Sequence, residues 1–519
     1  MDPRIHRHTL GDLLRRTAAR LPDKLGILCG EVQWSYSHFD KLCNRLAASL
    51  HAGGLGVGDR IGVLARNSHS FAALRFAVAR LGAVLVPINF MLAPPEIAFI
   101  LDHAQVTVLC VDSEFSNPGR EAVALGNSVR ELLWMPDEFS SPPVSGLHNI
   151  EDLWDAPGEP PELSFDARDM AQIIYTSGTE SRPKGAVLTH EAVIWQYVCC
   201  LVDAQVEQTD RILHAMPLYH CAQLDVFLGP GVYVGATNVI TSRPVADRLL
   251  QLLRQQRINS FFSPPTVWIA LLRSVDFDSA GLAELGKGYY GASIMPVEIV
   301  TELQRRLPLL RLWNLYGQTE MAPVATVLKP EDHSRKPGSA GRPGLNVETR
   351  IVDEQGVQVP VGVTGEIVHR SPQIITGYYS DPARTAQAFE GGWFHSGDLG
   401  VFDDEGFLTV VDRKKDMIKS GGENISSREV EEAIYQLAGV HEVAVIGVTH
   451  PRWIEAIVAV VIPVEQGALE ESAVIEHCRA RLARFKVPKR VLFASVLPKS
   501  PSGKILKRSL RERYAELKW

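Results

Sequence analysis

The chain has 519 residues, beyond the roughly 250–300 at which a single hydrophobic core stops growing, so at least two domains are expected. Hydrophobic residues make up 45% of the chain and charged residues 22%, a composition that excludes a disordered protein. The formal net charge of −7 argues against a general affinity for nucleic acid or for anionic membrane surfaces.

Cysteine usage and the N-terminal stretch point to a cellular compartment. The seven cysteines are scattered and lack CxxC spacing, which favours reduced thiols in a cytosolic enzyme over a disulfide frame or a zinc site. The stretch MDPRIHRHTLGDLLRR has no apolar core of the kind that a secretory signal needs. No run of about 18 apolar residues occurs, so no membrane span is expected. We therefore expect a cytoplasmic protein.

The first third of the chain alternates predicted strands and helices. RIGVLA (60–65) predicts a buried strand, after which Asn67 or Ser68 is a candidate helix cap. AVLVPIN (83–89) predicts the next strand, so strand–helix–strand units and a parallel sheet are expected. The helix between these strands carries apolar residues at helical spacing: Phe71, Leu74, Val78 and Leu81.

The later sequence changes character twice. After a loop-like stretch from about residue 329 to 343, alternating apolar and polar residues predict an antiparallel β-region. Beyond it, a short helix, paired strands and a helix with Val474, Cys478, Leu482 and Phe485 on one face predict a small α+β unit. We expect an α/β fold: a large N-terminal domain of parallel-type sheets plus a β-rich subdomain (1–412), a hinge (413–417) and a small C-terminal lid domain (418–519).

One loop carries an unusual density of hydrogen-bond donors. In IIYTSGTESRPKGAVLTH (173–190), an apolar run breaks into small hydroxyl residues, glycine and one lysine before a second apolar run begins. Exposed backbone N–H groups in such a turn, with an ammonium beside them, form an anion site, so a phosphate ligand is predicted. The chain contains no GxxxxGK[ST] Walker loop. On composition alone, a polar surface turn is an equal alternative.

Five segments together resemble a known family. They are YTSGTESRPKGAVLTH, NLYGQTE, GWFHSGDLG, DRKKDMIKSGGENI and LPKSPSGKILKRSLR. In order and spacing, over nearly the whole chain, they resemble the core motifs of the adenylate-forming superfamily, which comprises acyl- and aryl-CoA synthetases, peptide-synthetase adenylation domains and beetle luciferases. The first loop departs from the family pattern, because Glu180 and Ser181 replace the commoner Thr-Gly and an acid there weakens its positive field.

The resemblance implies a reaction and its cosubstrates. A carboxylic acid and ATP would form an acyl-adenylate with release of pyrophosphate, and the acyl group would then pass to a thiol, here CoA, with Mg²⁺ as the metal cofactor. Tyr316 would lie on the adenine, and Asp398 would bind the ribose hydroxyls. Thr176 and Glu320 would hold Mg²⁺. The implied ATP-binding residues are Thr176, Ser177, Gly178, Thr179, Lys184, Gly291, Ala292, Ser293, Tyr316, Gly317, Gln318, Thr319, Glu320, Asp398, Arg413 and Lys504.

The family's main catalytic residue is a lysine of the small domain, matched here by Lys504. It would bridge the acyl carboxylate and the α-phosphate. A plain basic surface is the alternative, because Lys499, Lys507 and Arg508 lie nearby in the sequence. The implied catalytic set is Lys504, Glu320, Thr176 and His220.

The same resemblance implies a rotating lid. Lys415 occupies the hinge position, and Gly421 and Gly422 would let the pantetheine arm of CoA pass close to backbone. His220 would stand where acyl chain and pantetheine meet, the alternative being an inert core histidine. The implied CoA tunnel therefore contains His220, Gly421 and Gly422.

The acid is predicted from the segment AMPLYHCAQLDVFLGPGVYVGA. Its residues bring no clear cationic partner, which favours an apolar tail: a medium- or long-chain fatty acid first and an aryl acid second. Asp225 lies in this segment and has no role in this interpretation. The implied acyl-pocket residues are His220, Cys221, Leu224, Tyr290 and Gly291.

Three alternatives to a CoA ligase stay open at this stage. A stand-alone adenylation enzyme that loads a carrier protein would share all five segments, and so would a luciferase-like oxygenase. A catalytically inactive nucleotide-binding protein would usually have lost Lys504, Glu320 or Thr176, which are all present. The expected partners are therefore small molecules and not nucleic acid; the sequence does not fix the oligomeric state, and a homodimer is compatible with it.

Overall fold

The computed structural model describes residues 3–139, 142–154, 158–159, 162–176, 183–293, 295–420, 423–465, 467, 469–500 and 504–517. The predicted site residues Ser177, Gly178, Thr179, Gly421 and Gly422 lie outside the described residues. Within the described ranges, no helix has the length and apolar character needed to cross a membrane.

The secondary structure consists of strands and helices in alternation. The strands are β1 (Leu25–Cys29), β2 (Val32–Ser35), β3 (Arg60–Leu64), β4 (Val84–Pro87), β5 (Val106–Val111), β6 (Glu131–Trp134), β7 (His148–Asn149), β8 (Met170–Thr176), β9 (Lys184–Thr189), β10 (Arg211–His214), β11 (Thr237–Ile240), β12 (Ser260–Phe262), β13 (Lys287–Gly291), β14 (Arg311–Gly317), β15 (Val324–Leu328), β16 (Arg342–Pro343), β17 (Glu348–Val352), β18 (Gly365–Arg370), β19 (Gly377–Tyr378), β20 (Phe394–Phe402), β21 (Leu408–Arg413), β22 (Ile418–Ser420), β23 (Glu423–Ile425), β24 (Val440–His450), β25 (Ile454–Pro463) and β26 (Arg490–Phe493). The α-helices are α1 (Leu10–Arg20), α2 (Tyr36–Ala52), α3 (His69–Arg80), α4 (Pro94–His103), α5 (Ser116–Leu125), α6 (His190–Val202), α7 (Cys221–Gln223), α8 (Gly229–Val234), α9 (Ala246–Gln255), α10 (Pro265–Arg273), α11 (Val297–Arg306), α12 (Pro382–Ala388), α13 (Ser427–Tyr435), α14 (Glu471–Arg479) and α15 (Lys507–Arg513), and a π-helical turn covers Leu224–Leu228.

Two large mixed sheets form the N-terminal part. One has nine strands in the order β16-β15-β14-β13-β12-β10-β11-β1-β2, and the other has eight in the order β19-β9-β8-β4-β3-β5-β6-β7. The inner pairs β3–β4, β3–β5, β10–β12 and β13–β14 are parallel, whereas the margins β8–β9 and β14–β15 are antiparallel. The predicted α/β fold is therefore confirmed, with sheets that are mixed rather than wholly parallel.

Helices α2 and α3 share one buried cluster with both large sheets. Ile27 of the nine-stranded sheet and Ile61 of the eight-stranded sheet lie in this cluster with Phe39 and Phe71 of the helices. Helix α3 therefore packs against two sheets at once, and every residue from His69 to Ala79 is buried.

The two residues that precede α3 have different structural roles. Ser68 caps the helix by accepting a hydrogen bond from the Phe71 amide at 3.1 Å. Asn67 instead joins the loops of the nine-stranded sheet: its side-chain amide donates to the carbonyls of Met216 and Thr241 at 2.8 and 3.0 Å, and its oxygen accepts from the Leu218 amide at 2.7 Å. Asn67 therefore ties the end of β3 to the other sheet.

Two smaller sheets complete the chain. The predicted antiparallel region is the four-stranded sheet β17-β18-β20-β21, and the C-terminal sheet is β23-β22-β25-β24 with β26 added beside β25. In the C-terminal unit, the prediction of one helix that carries Val474 through Phe485 is wrong at its C-terminal end. Helix α14 ends at Arg479, and the Phe485 side chain is 42% exposed. The chain must turn there because β26 runs parallel to β25, with Arg490 opposite Val458.

The two residues before α3 allow a matched comparison. Ser68→Ala removes one cap and is expected to cost about 1 kcal/mol of unfolding free energy. Asn67→Ala leaves three buried backbone groups without their partner and is expected to cost about 2–4 kcal/mol. Urea unfolding followed by tryptophan fluorescence measures both, and a larger loss for Ser68→Ala would contradict the bridging role of Asn67.

Candidate active site

The residues of the predicted ATP site lie at strand ends and turns from three N-terminal sheets. Thr176 and Lys184 face each other across the antiparallel pair β8–β9, at the root of the predicted phosphate loop. Glu320 follows β14 of the nine-stranded sheet, and Asp398 lies in β20 of the four-stranded sheet. The fold thus brings together segments that are more than 200 residues apart in the sequence.

Glu320 is the centre of the first cluster. Its side chain is almost fully buried, and its Oε1 lies 2.9 Å from the Lys184 ammonium and accepts a hydrogen bond from the Tyr378 hydroxyl, also at 2.9 Å. Burial and the neighbouring Glu320 charge raise the pKa of Tyr378, so its phenol keeps the proton that it donates. Sequence reasoning missed Tyr378, which lies 58 residues from Glu320 and carries no local signal.

The oxygen donors of this cluster fit a hard divalent cation. The Thr176 hydroxyl oxygen is buried and has no hydrogen-bond partner among the described residues. Thr176 lies opposite Lys184, and the Lys184 ammonium contacts Glu320. Within those residues, no group of three or more His, Cys, Asp or Glu side chains forms a metal cage. One hydroxyl and one carboxylate suit Mg²⁺, which keeps several of its waters.

Asp398 is the centre of the second cluster. The Tyr316 hydroxyl donates to one carboxylate oxygen at 2.8 Å, and the Arg413 guanidinium lies 3.5 Å from the other. Arg413 stands directly opposite Asp398 because β20 and β21 are paired in that register. Burial and the Asp398 charge raise the pKa of Tyr316 well above its usual value, so the phenol is a donor here.

The turns beside Tyr316 are tightly packed. A Cβ at Gly317 would lie 1.8 Å from the Pro323 carbonyl oxygen, and one at Gly291 would lie 2.4 Å from the Leu315 carbonyl oxygen, so only glycine fits at either position. Ala292 adopts a left-handed φ of 63°, and Ser293 follows it in the same turn. Gln318, next to Gly317, has a buried amide nitrogen without a partner among the described residues.

The charges of the Asp398–Arg413 pair act on the Lys504 ammonium. The pKa of Lys504 is lowered to about 7, first by burial and then by the Arg413 charge, while Asp398 opposes the shift. Its sequence neighbours are paired elsewhere: Lys499 with Glu442 at 2.6 Å, Lys507 with Glu431 at 2.8 Å and Arg508 with Glu512 at 2.8 Å. Lys504 differs from these neighbours in its surroundings, and its role as the catalytic lysine stays a prediction.

His220 and Cys221 connect the predicted acyl segment to this cleft. His220 Nδ1 accepts a hydrogen bond from the Ala222 amide at 3.1 Å, and burial, followed by the Lys504 charge, lowers the pKa of His220 to about 4. The ring is therefore neutral at physiological pH. The Cys221 sulfur lies 3.4 Å from the Thr319 hydroxyl, and one turn later Leu224 is fully buried.

Tyr290 has a polar partner that the sequence did not indicate. Its hydroxyl lies 3.1 Å from His333 Nε2, while His333 Nδ1 lies 2.9 Å from the Lys329 carbonyl. A carbonyl only accepts, so Nδ1 carries the proton and Nε2 accepts from Tyr290. The tyrosine is thereby fixed in direction beside Gly291.

Comparison with known proteins gives consistent matches. The AMP-binding enzyme family model matches residues 14–379, and the AMP-binding enzyme C-terminal domain model matches residues 429–504. Feruloyl-CoA synthase of an Amycolatopsis species is 36% identical over 97% of this chain and 99% of its own. Indoleacetate–CoA ligase of Aromatoleum aromaticum is 35% identical over 98% of both chains.

Two further matches extend the comparison. Long-chain-fatty-acid–CoA ligase FadD13 of Mycobacterium tuberculosis is 34% identical over 93% of this chain and 94% of its own. Among solved structures, ATP-bound MatB from Rhodopseudomonas palustris superposes with a TM-score of 0.88 at 28% identity, over 98% of this chain and 100% of that chain.

The depressed pKa of Lys504 predicts its reactivity. Because only the neutral amine attacks acetic anhydride, labelling of Lys504 in the ligand-free enzyme should reach half its maximum near pH 7. Arg413→Gln removes a neighbouring positive charge and should move that midpoint upward, as should added ATP. Mass spectrometry of the labelled peptide across pH 6–10 measures this, with exposed Lys41 as the reagent reference; labelling that begins only above about pH 9 would contradict the placement of Lys504.

Proposed function

This chain belongs to the AMP-binding enzyme family, and from that premise we propose that it activates an apolar-tailed carboxylic acid as an acyl-adenylate and passes the acyl group to CoA. It is an AMP-forming acid–thiol ligase of the acyl- and aryl-CoA ligase type. The observation that supports the proposed mechanism is the Asp398–Arg413 pair, whose charges act on the Lys504 ammonium.

The chemistry explains why the cleft needs cations. A carboxylate is a poor electrophile because its leaving group would be an oxide. In the proposed first step, the carboxylate oxygen attacks the α-phosphorus and the bond to pyrophosphate breaks. In the second, the CoA thiol loses its proton and attacks the carbonyl carbon, and AMP leaves. Two anions must meet in the first step, so preorganised positive charge lowers its barrier.

Each positive side chain is assigned to a different part of the two substrates. Lys184, at the end of the predicted phosphate loop, is placed for the β- and γ-phosphates. Lys504 is placed for the α-phosphate and the acyl carboxylate, with Arg413 on the ribose side. Asp398 would exchange its Tyr316 hydrogen bond for the ribose hydroxyls, leaving the tyrosine ring against the adenine.

Thr176 and Glu320 would hold Mg²⁺. The unpartnered Thr176 hydroxyl and the Glu320 carboxylate are hard oxygen donors on either side of Lys184. Bound there, the ion would neutralise charge on the phosphates and leave Lys184 to orient them. The Tyr378 hydroxyl holds Glu320 in place for this role.

Thiol transfer would require the lid to move. Lys504 and the segment around Gly421 and Gly422 belong to the same C-terminal domain, and one domain cannot present both to one cleft at once. We place the hinge at residues 413–417, with Lys415 as the pivot, between the domains 1–412 and 418–519. His220, neutral and next to Lys504, would then border the pantetheine path without introducing a charge.

The packing of the acyl segment favours an aryl acid over the fatty acid that the sequence favoured. Leu224, Val226 and Phe227 are at most 2% exposed, and the Phe227 ring stacks on Phe262 at 4.9 Å. Leu224, Val226 and Phe227 belong to buried clusters of the core. A flat aromatic ring needs a shallower pocket than a long acyl chain does. The relatives named feruloyl-CoA synthase and indoleacetate–CoA ligase support an aryl acid. A long-chain fatty acid is the second candidate, supported by the FadD13 relative.

A substrate panel tests this order. CoA thioester formation should be fastest, by kcat/KM, with aryl acids such as cinnamates and arylacetates. Acids from octanoate to palmitate should be at least tenfold slower, because the relatives named for aryl acids support a pocket suited to a ring. A reversed order would make a fatty acid the first candidate substrate. Thioester formation only on a carrier protein would exclude CoA as the acceptor.

Loss of Lys504 should separate the two half-reactions. Lys504→Ala is expected to slow acid-dependent ATP–pyrophosphate exchange by about 10²–10³, the usual scale for losing a preorganised charge. Transfer to CoA from supplied acyl-adenylate should change little. Lys499→Ala, which removes a lysine paired with Glu442, is the matched control and should stay within a few-fold. Equal loss in both half-reactions would reject the assigned role.

A further inference from the structure

A buried carboxylate anchors the helical segment that carries His220 and Cys221. Asp225 is fully buried and lies one turn after Cys221, within the π-helical turn Leu224–Leu228. The sequence alone gave this residue no role. π-helical turns are rare in proteins, and many of those that occur are at functional sites. The interactions that hold this turn in place are therefore candidates for a functional role.

Three elements converge on this carboxylate. The Arg75 guanidinium of α3 lies 3.1 Å from Oδ1, and the Tyr197 hydroxyl of α6 donates to the same oxygen at 3.2 Å. The Gln172 amide of β8 donates to Oδ2 at 2.6 Å. All three side chains are buried, so Asp225 is tied at once to two helices and to the strand that leads to Thr176.

The close approach of Tyr197 depends on the residue that follows the turn. A Cβ at Gly229 would lie 2.0 Å from the Tyr197 hydroxyl, so any other residue there would displace the tyrosine from Asp225. The glycine and the π-helical turn together set the distance between α6 and the acyl segment.

Stability is a poor explanation for this network. Burying an arginine–aspartate pair costs desolvation that the attraction between the charges often fails to offset, and apolar replacements of similar volume are frequently as stable. The cost is higher here, because one Arg75 nitrogen and the Gln172 carbonyl oxygen find no partner among the described residues. What such a network supplies is a defined position for the segment that carries it.

We propose that Asp225, held by Arg75, Gln172 and Tyr197, is a positioning residue that fixes the His220–Leu228 segment against the strand entering the ATP loop, and so sets the acid-binding site relative to ATP. This rests on the proposed function. The link is direct in the structure: Gln172 lies in β8, which ends at Thr176, and Cys221 contacts Thr319. Loss of the anchor should therefore affect the acid more than the nucleotide.

Asp225→Asn, compared with Asp210→Asn, tests the proposal in the full-length enzyme. Asp210 is also buried and paired with a cation, Lys287 at 2.8 Å, but Lys287 lies at the opposite end of β13 from Gly291. Both variants should lower the melting temperature. Only Asp225→Asn should raise the KM for the acid, by tenfold or more in ATP–pyrophosphate exchange, while the KM for ATP stays within twofold.

A milder variant covers the case in which Asp225→Asn does not fold. Tyr197→Phe keeps the ring and removes one hydrogen bond, and should raise the KM for the acid about threefold with little change in melting temperature. The proposal is overturned if Asp225→Asn behaves like Asp210→Asn, or if the KM values for acid and ATP rise together. An incorrect reaction assignment would appear separately, as wild-type enzyme that shows no acid-dependent exchange.

Discussion

Repulsion between two anions is the constraint that organises this protein. A triphosphate and a carboxylate must come within bonding distance, and in a cleft of low dielectric their repulsion is strong unless fixed positive charge lies beside them. The proposed site takes that charge from separate parts of the fold: Lys184 from the eight-stranded sheet, Arg413 from the four-stranded sheet and Lys504 from the C-terminal part of the chain. Because no single sheet carries the set, the site exists only when these parts are assembled.

Acidic and phenolic partners keep those cations in place. Lys184 is held by Glu320 and Arg413 by Asp398, and each acid is in turn held by a tyrosine hydroxyl, from Tyr378 and Tyr316 respectively. Preorganisation of this kind lets charges act without rearranging at the moment of reaction. It also accounts for two acids in the proposed anion site, where Glu320 is the proposed metal ligand and Asp398 the proposed partner of the ribose hydroxyls.

Local sequence patterns predicted the elements whose apolar residues are buried in the core. The strands β3 and β4 and the helix α3, with its cap at Ser68, follow from apolar spacing that tertiary packing then uses directly. The end of α14 did not follow from such spacing, because the return of the chain to β26 decides where that helix stops.

The sequence motifs nominated the residues of the proposed site, whereas the contacts that support them were not predictable from sequence. Tyr378 contacts Lys184 across 194 residues, and Asp225 meets Arg75 across 150. No local periodicity or spacing encodes such pairs. They arise when β19 joins the edge of the eight-stranded sheet and when the acyl segment packs under α3 and α6. Supporting contacts of this kind could therefore be found only from the folded structure.

The electrostatics of Lys504 give the two half-reactions an order. Burial in the cleft disfavours its ammonium form, so a docked lid with a charged Lys504 is favoured when phosphates lie beside it and disfavoured when they do not. In the proposed reaction, formation of the adenylate releases pyrophosphate and removes most of that negative charge. The attraction between Lys504 and the nucleotide therefore weakens at the step that precedes the proposed rotation of the lid. A permanently charged, solvated lysine would lack this dependence.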